Sequence, residues 1–166
     1  MLHAMSDALR PRPARPHMPA YGIEPSEEGL LDWSWAEERL GTSRNYWLAT
    51  SRADARPHLM ALWALWADGE LFFSTDGVKA SNLRRDPRCS VATESGSEAV
   101  ILEGSVRIVA RGDAWDAIRD RYAEKYGEGF PEGSPLFALA PDVAFGFIED
   151  SSMFGSAATR WTFEGR

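Results

Sequence analysis

The stretch Tyr46 to Pro87, YWLATSRADARPHLMALWALWADGELFFSTDGVKASNLRRDP, decides the fold. Three apolar runs follow one another across short polar turns. Tyr46 to Ser51 reads as a first strand. Pro57 to Trp66 reads as a second, with His58, Met60, Leu62, Ala64 and Trp66 alternating against Leu59, Ala61, Trp63 and Leu65. Both sets are largely apolar, so this strand is expected to be buried on both sides. Asp68-Gly69 is a strong hairpin turn into a third strand, Leu71 to Thr75. The first hairpin carries Asp54-Ala55 where Asp-Gly would be the better chemistry; a positive φ at Ala55 would cost about 1 kcal/mol. A helix from about Lys79 to Arg85 then stops at Asp86-Pro87. Ser74 and Thr75 at a strand end, with Lys79 at the mouth of that helix, form an anion-binding corner, because free N–H groups and the positive dipole end favour anions there.

Upstream, Ser34 and Glu37 have the spacing of a capping box for a helix that Gly41 ends. Trp33 and Trp35 are expected to lid the open end of the sheet. Residues 1–29 read as a disordered or draped tail and linker, with Pro11, Pro13, Pro16 and Pro19 and little to bury. Downstream, Arg88 to Glu94 and Ala99 to Ala110 read as strands. Asp113 reads as the cap of the main helix, which runs to about Tyr126, its buried stripe marked by Trp115, Ile118, Tyr122 and Tyr126. Residues 127–135 read as loop, and Val143 to Ile148 and Ala157 to Phe163 as the last strands. Strands dominate, helices are few, and turns come every eight to twelve residues. Residues 30–166 are therefore expected to form one mainly β domain, a small antiparallel barrel.

The 166 residues can bury a core without disulfides or a structural metal. A net charge of −7 argues against a general nucleic-acid binder. The single Cys89 excludes an internal disulfide framework and fits a reducing cytoplasm. No apolar run approaches the ~20 residues of a membrane span, and no apolar signal segment opens the chain. A cytoplasmic protein is expected. No cluster has metal-ligand spacing, and no G-x-S-x-G nucleophile elbow occurs.

Ser74, Thr75 and Lys79 would suit a phosphate, although the same residues make an ordinary solvated turn. Asn82 fits either the anion corner or local backbone tidying. Arg160, in the half-apolar final strand, reaches either an electron-rich ring or a salt bridge to Glu149 or Asp150. His58, the one histidine outside the tail, lines a cleft or sits at a rim. Cys89 reads as a small core residue.

Taken together, WSWAEERL, NYWLATSRADARPH, LFFST, VKASNLRRDPR, VILEG and the closing TRWTF resemble the pyridoxamine 5′-phosphate oxidase-like family, the FMN-binding split barrels, with relatives that use the deazaflavin coenzyme F-420. The resemblance implies an antiparallel split β-barrel working as a homodimer, with the flavin at the subunit interface and a small-molecule substrate. It maps the cofactor-contacting strand to Met60, Ala61, Leu62, Trp63 and on to Leu65, the hydroxyl pair to Ser74 and Thr75, the phosphate lysine to Lys79, and a C-terminal arginine near the ring to Arg160. Asn82 is added from its place on the next helical turn.

Three positions that are basic in the oxidase proper hold Met60, Leu65 and Val78 here, so the phosphate clamp is thinner. The Arg-x-His substrate motif is also missing, which argues against vitamin B6 oxidation. The implied activity is a flavin-dependent oxidoreductase using FMN. The alternatives are an F-420-dependent reductase and a non-catalytic binder of flavin or tetrapyrrole, for which His58 would be the axial ligand. No residue stands out as a catalytic acid or base.

Overall fold

In the computed structural model, which describes residues 11–23, 25–131 and 133–164, nine strands form one antiparallel sheet that curls without closing. The strands are β1 (Arg12–Ala14), β2 (Tyr46–Ser51), β3 (Pro57–Leu62), β4 (Leu65–Ala67), β5 (Glu70–Ser74), β6 (Arg88–Thr93), β7 (Glu98–Ile108), β8 (Leu136–Ile148) and β9 (Thr159–Thr162). The helices are α1 (Trp33–Thr42), α2 (Gly77–Arg85), α3 (Asp113–Tyr126) and α4 (Phe154–Ala157). Sheet order is β1-β9-β8-β7-β6-β2-β3, and β5 joins β4 to the first half of β8. The mainly β split-barrel architecture expected from the sequence is what forms. Among the described residues, no helix is long and apolar enough to cross a membrane.

The β7–β8 ladder runs from Glu98 opposite Ile148 to Ile108 opposite Phe137, with a bulge between Glu103 and Gly104. On its other edge, β8 pairs first with β5 and then with β9. The bulge twists the ladder where this exchange happens. Gly104 is required there, because a Cβ would stand 2.1 Å from the Ala140 carbonyl oxygen.

Cross-strand register sorts the side chains into two faces. One row runs Met60, Leu48, Val91, Leu102, Ala144, Trp161, and from Leu48 onward it is fully buried. Trp33 of α1 closes this core edge-on against Trp66, Trp161 and Phe163. α3 lays its predicted stripe of Trp115, Ile118, Tyr122 and Tyr126 against Leu65, Phe72, Leu136 and Ala138. The opposite row runs Ala61, Trp47, Ala92, Ile101, Phe145, Arg160 and stays exposed or half-exposed.

Several sequence expectations are corrected. The second strand does not run unbroken to Trp66; it ends at Leu62, and β4 begins at Leu65. Nor is it buried on both sides within the chain: β3 is an edge strand, with Leu59 58% and Met60 46% exposed. β8 starts at Leu136 rather than Val143. The apolar run Leu136–Ala140 hides its alternation, and Pro141 is tolerated because it adjoins the bulge, where Asp142 is left unpaired between Gly104 and Glu103 of β7. α1 is capped by Asp32, whose Oδ1 accepts from Ser34 N at 2.9 Å, so the Ser34 hydroxyl does not cap the helix. Part of the expected tail is built in: Arg12–Ala14 pair with β9. The Arg15 guanidinium donates to the carbonyls of Ser26, Glu28, Ser156 and Ala158 at 2.7–2.8 Å. Residues 1–10 lie outside the described residues.

At the first hairpin, Ala55 N bonds Arg52 O, and Ala55 takes φ 65°, the left-handed position that glycine normally fills. Ala55→Gly is expected to stabilise the fold by about 1 kcal/mol, raising Tm by roughly 2–4 °C. Thermal unfolding followed by circular dichroism checks this; an unchanged or lower Tm would show that the turn is not strained.

Candidate functional site

The residues of the candidate anion corner come from the end of β5 and the start of α2. Thr75 is buried, and Ser74 Oγ donates to Pro135 O at 3.1 Å. Asp76 Oδ1 accepts from Gly77 N at 2.8 Å, and Gly77 turns the chain at φ 64°. Lys79 follows, half-exposed, and its ammonium has no hydrogen-bond or ion-pair partner among the described residues.

Two contacts set how α2 lies on the sheet. Asn82, 4% exposed, donates its Nδ2–H to Thr50 Oγ1 at 3.0 Å. Arg85 donates to the Ser51 carbonyl. The helix therefore runs beside β2 in the same direction. A helix rises about 1.5 Å per residue and a strand about 3.3 Å. By these rises Lys79, one turn before Asn82, falls about level with Leu48, whose β3 partner is Met60. Lys79, Asn82, Met60 and His58 thus share one strip between α2 and the free edge of β3, and Ser74 and Thr75 lead into it.

The remaining candidates do not join that strip. Ala61 faces the opposite side of the sheet, in the row with Trp47. Arg160 ends the same row five strand spacings away, about 24 Å. Its Nη1 donates to Thr162 Oγ1 at 2.8 Å, and neither Glu149 nor Asp150 takes it as a salt-bridge partner. Those two carboxylates accept instead from Ser97 and Ser152. Leu62 faces inward opposite Tyr46. Leu65, at a position that is basic in the oxidase proper, is 8% exposed in the core beneath α3. Burial pushes the Cys89 thiol up to about 12, with Asp86 adding to it, so it is an inert core group.

Trp63 and Ala64 form the break between β3 and β4, and the last turn of α3 holds it. Tyr126 OH accepts from Ala64 N at 3.0 Å and lies 2.8 Å from the Ala64 and Arg44 carbonyls. Lys125 Nζ donates to Ala64 O at 3.0 Å and to Tyr46 OH at 2.9 Å, and Tyr46 OH donates to Leu40 O. The Trp63 ring stacks on Tyr126 at 4.7 Å and 5°, with Arg44 beside both rings. Side chains thus replace the missing strand partner of Ala64. Sequence reading passed over Lys125 because a lysine in a last helical turn ordinarily just complements the dipole. Only its neighbour Tyr126, in the apolar stripe, gave a signal. Among the described residues, no group of His, Cys, Asp and Glu could hold a metal.

The profile of the pyridoxamine 5′-phosphate oxidase family matches residues 36–149, more than half of the chain. The chain belongs to that family. No functionally curated protein matches it in sequence. Among solved structures, a conserved hypothetical protein from Mycobacterium tuberculosis is 25% identical, with TM-score 0.64, over 72% of this chain and 86% of that one. An FAD-binding protein from Mesorhizobium loti is 18% identical, with TM-score 0.57, over 81% of this chain and 96% of that one. A protein described as an F-420 reductase is 21% identical, with TM-score 0.54, over 65% of this chain and 94% of that one. The last two likenesses are of fold.

Desolvation lowers the Lys125 ammonium to about 8, with Arg44 adding to the fall and Glu94 opposing it. Its pKa is thus lower folded than unfolded, so between about pH 8 and 10.5 the unfolded chain binds more protons and stability rises with pH. In this window the wild type is expected to gain on Lys125→Met, by on the order of 1 kcal/mol given the half-exposure. Urea unfolding at pH 7.5 and pH 10 checks the difference; a constant gap would show that Lys125 titrates normally.

Proposed function

We propose that this pyridoxamine 5′-phosphate oxidase family member is a flavin-dependent oxidoreductase that binds FMN where two copies of the chain meet, and acts on a small-molecule substrate. The reading rests on the free cation of Lys79 standing level with Met60 at the unpaired edge of β3. Lys79 would neutralise the phosphate, with the Thr75 hydroxyl and the start of α2 as neighbours. The unpaired backbone of β3 offers donors and acceptors to the polar rim of a flat ring, and Met60, Leu62 and Trp63 offer apolar contact. The bound flavin supplies the hydride or electron chemistry. The chain's own part is to hold, orient and shield.

A second copy supplies what one chain lacks. The exposed row through Ala61, Trp47, Ala92, Ile101 and Phe145 is a broad apolar face of the kind that marks an interface. Arg160 ends that row, so it reaches a ring at β3 only from the partner. Titration with FMN is expected to show binding, and Lys79→Met to weaken it roughly 10- to 100-fold. A colourless wild type that binds neither FMN nor F-420 would sink the reading. Trp47→Glu is expected to convert a dimer to monomer by light scattering on a sizing column; an unchanged mass would place the dimer face elsewhere.

One observation favours F-420 as an alternative. The bond from Arg85 to Ser51 brings the β2–β3 hairpin, with Arg52 and an Arg56 paired to Asp54, beside the end of α2. This basic end lies beyond Asn82 in line from Lys79, where an acidic glutamyl tail would run. A parallel titration with F-420 separates the two; tighter F-420 binding that Arg85→Ala weakens would favour it over FMN.

A further inference from the structure

The clamp that the sequence leaves thin has a further donor that neither the family match nor the proposed cofactor assigns. His58 faces the same side of β3 as Met60, one inward position away, about 7 Å along the strand. Its Nδ1 lies 3.5 Å from Thr50 Oγ1, across the β2–β3 pair. Thr50 is itself 5% exposed and accepts from the buried Asn82 amide at 3.0 Å. An amide N–H can only donate, which leaves the Thr50 hydroxyl its own proton to offer to a His58 Nδ1 that accepts. In the tautomer that accepts this proton, the ring carries its own N–H on Nε2, at the opposite side of the ring. That atom has no partner among the described residues, and the ring is half-exposed.

The rest of the geometry puts this donor in reach of the anion. Asn82 lies level with Thr50 and His58, and Lys79 lies one helical turn nearer Met60. A histidine and a lysine thus line one strip from two elements, about two strand residues apart along it. Asn82 does not enter the strip as a ligand; its amide is spent on Thr50. That explains a buried asparagine in a helix whose other buried residues, Ala80 and Leu83, are apolar.

We propose that His58 is a phosphate-binding residue, its Nε2–H held outward by the Asn82–Thr50 relay and donated to the anion that Lys79 neutralises. The inference rests on the cofactor reading above and adds a residue and a relay to it. The ligand chemistry is a phosphate on a flavin or deazaflavin side chain. The two sources are told apart by pairing each cofactor with its phosphate-free form: FMN with riboflavin, and F-420 with its dephosphorylated deazaflavin.

The experiment measures the affinity ratio within each pair by fluorescence titration, for wild type, His58→Phe, His58→Gln and Thr50→Val. His58→Phe is expected to cut the wild-type preference for the phosphorylated form about tenfold while leaving the phosphate-free form unaffected. His58→Gln, which keeps a donor, is expected to retain most of the preference. Thr50→Val, which breaks the relay but not the donor, is expected to lose about threefold. Circular dichroism checks that each variant is folded. A wild-type preference that survives His58→Phe overturns the inference and leaves the cofactor reading standing. Equal losses for both members of a pair also overturn it, because they report packing rather than phosphate. A wild type that binds neither pair rejects the reading and the inference together.

Discussion

The close approach of Gly104 to the Ala140 carbonyl is the constraint on which the barrel depends. β7 and β8 form the longest ladder in the sheet, and every other pairing hangs on one of them or on a neighbour. The bulge at Glu103 and Gly104 lets β8 hand its outer edge from β5 to β9 without ending the ladder. Any side chain at position 104 would collide with backbone, which cannot swing aside as a side-chain tip can. The split of the barrel is therefore local in cause and global in effect. It produces one half with β4 and β5 under α3, and another whose far face is left open.

The open face and the broken second strand explain why the candidate residues separate. Alternation along β3 sends Met60 and Leu62 inward with Tyr46 and Leu48, and Ala61 outward with Trp47. At Trp63 the strand leaves the sheet, and α3 satisfies Ala64 through Tyr126 and Lys125. A residue list read as one contiguous strand thus becomes three environments: a strip beside α2, an open face, and a pinned break.

Much of the fold was legible in the sequence because its signals are local. Asp68-Gly69, the stripe of Trp115, Ile118 and Tyr122, and the Asp86-Pro87 stop each specify their own element. The start of β8 was not legible, since Leu136–Ala140 is apolar on both faces and Pro141 argues against a strand unless a bulge is known. Ser74, Thr75 and Lys79 could be grouped as a candidate anion corner because they are near in sequence. The relay from Asn82 through Thr50 to His58 was not, because it spans α2, β2 and β3 and depends on their register. Lys125 was invisible for the same reason: its significance lies in Ala64 and Tyr46, both far along the chain.

The Arg15 clamp bears on where this domain begins. The family match starts at residue 36, inside α1, and the composition upstream reads as a disordered or draped tail and linker. Yet the Arg15 guanidinium fastens the carbonyls of Ser26, Glu28, Ser156 and Ala158, and β1 occupies the edge of β9 beside Trp161. The clamp and the β1–β9 pair thus both lie outside the matched residues 36–149, one partner from each end of the chain. The sheet therefore extends past the family match at both ends, through β1 before it and β9 after it.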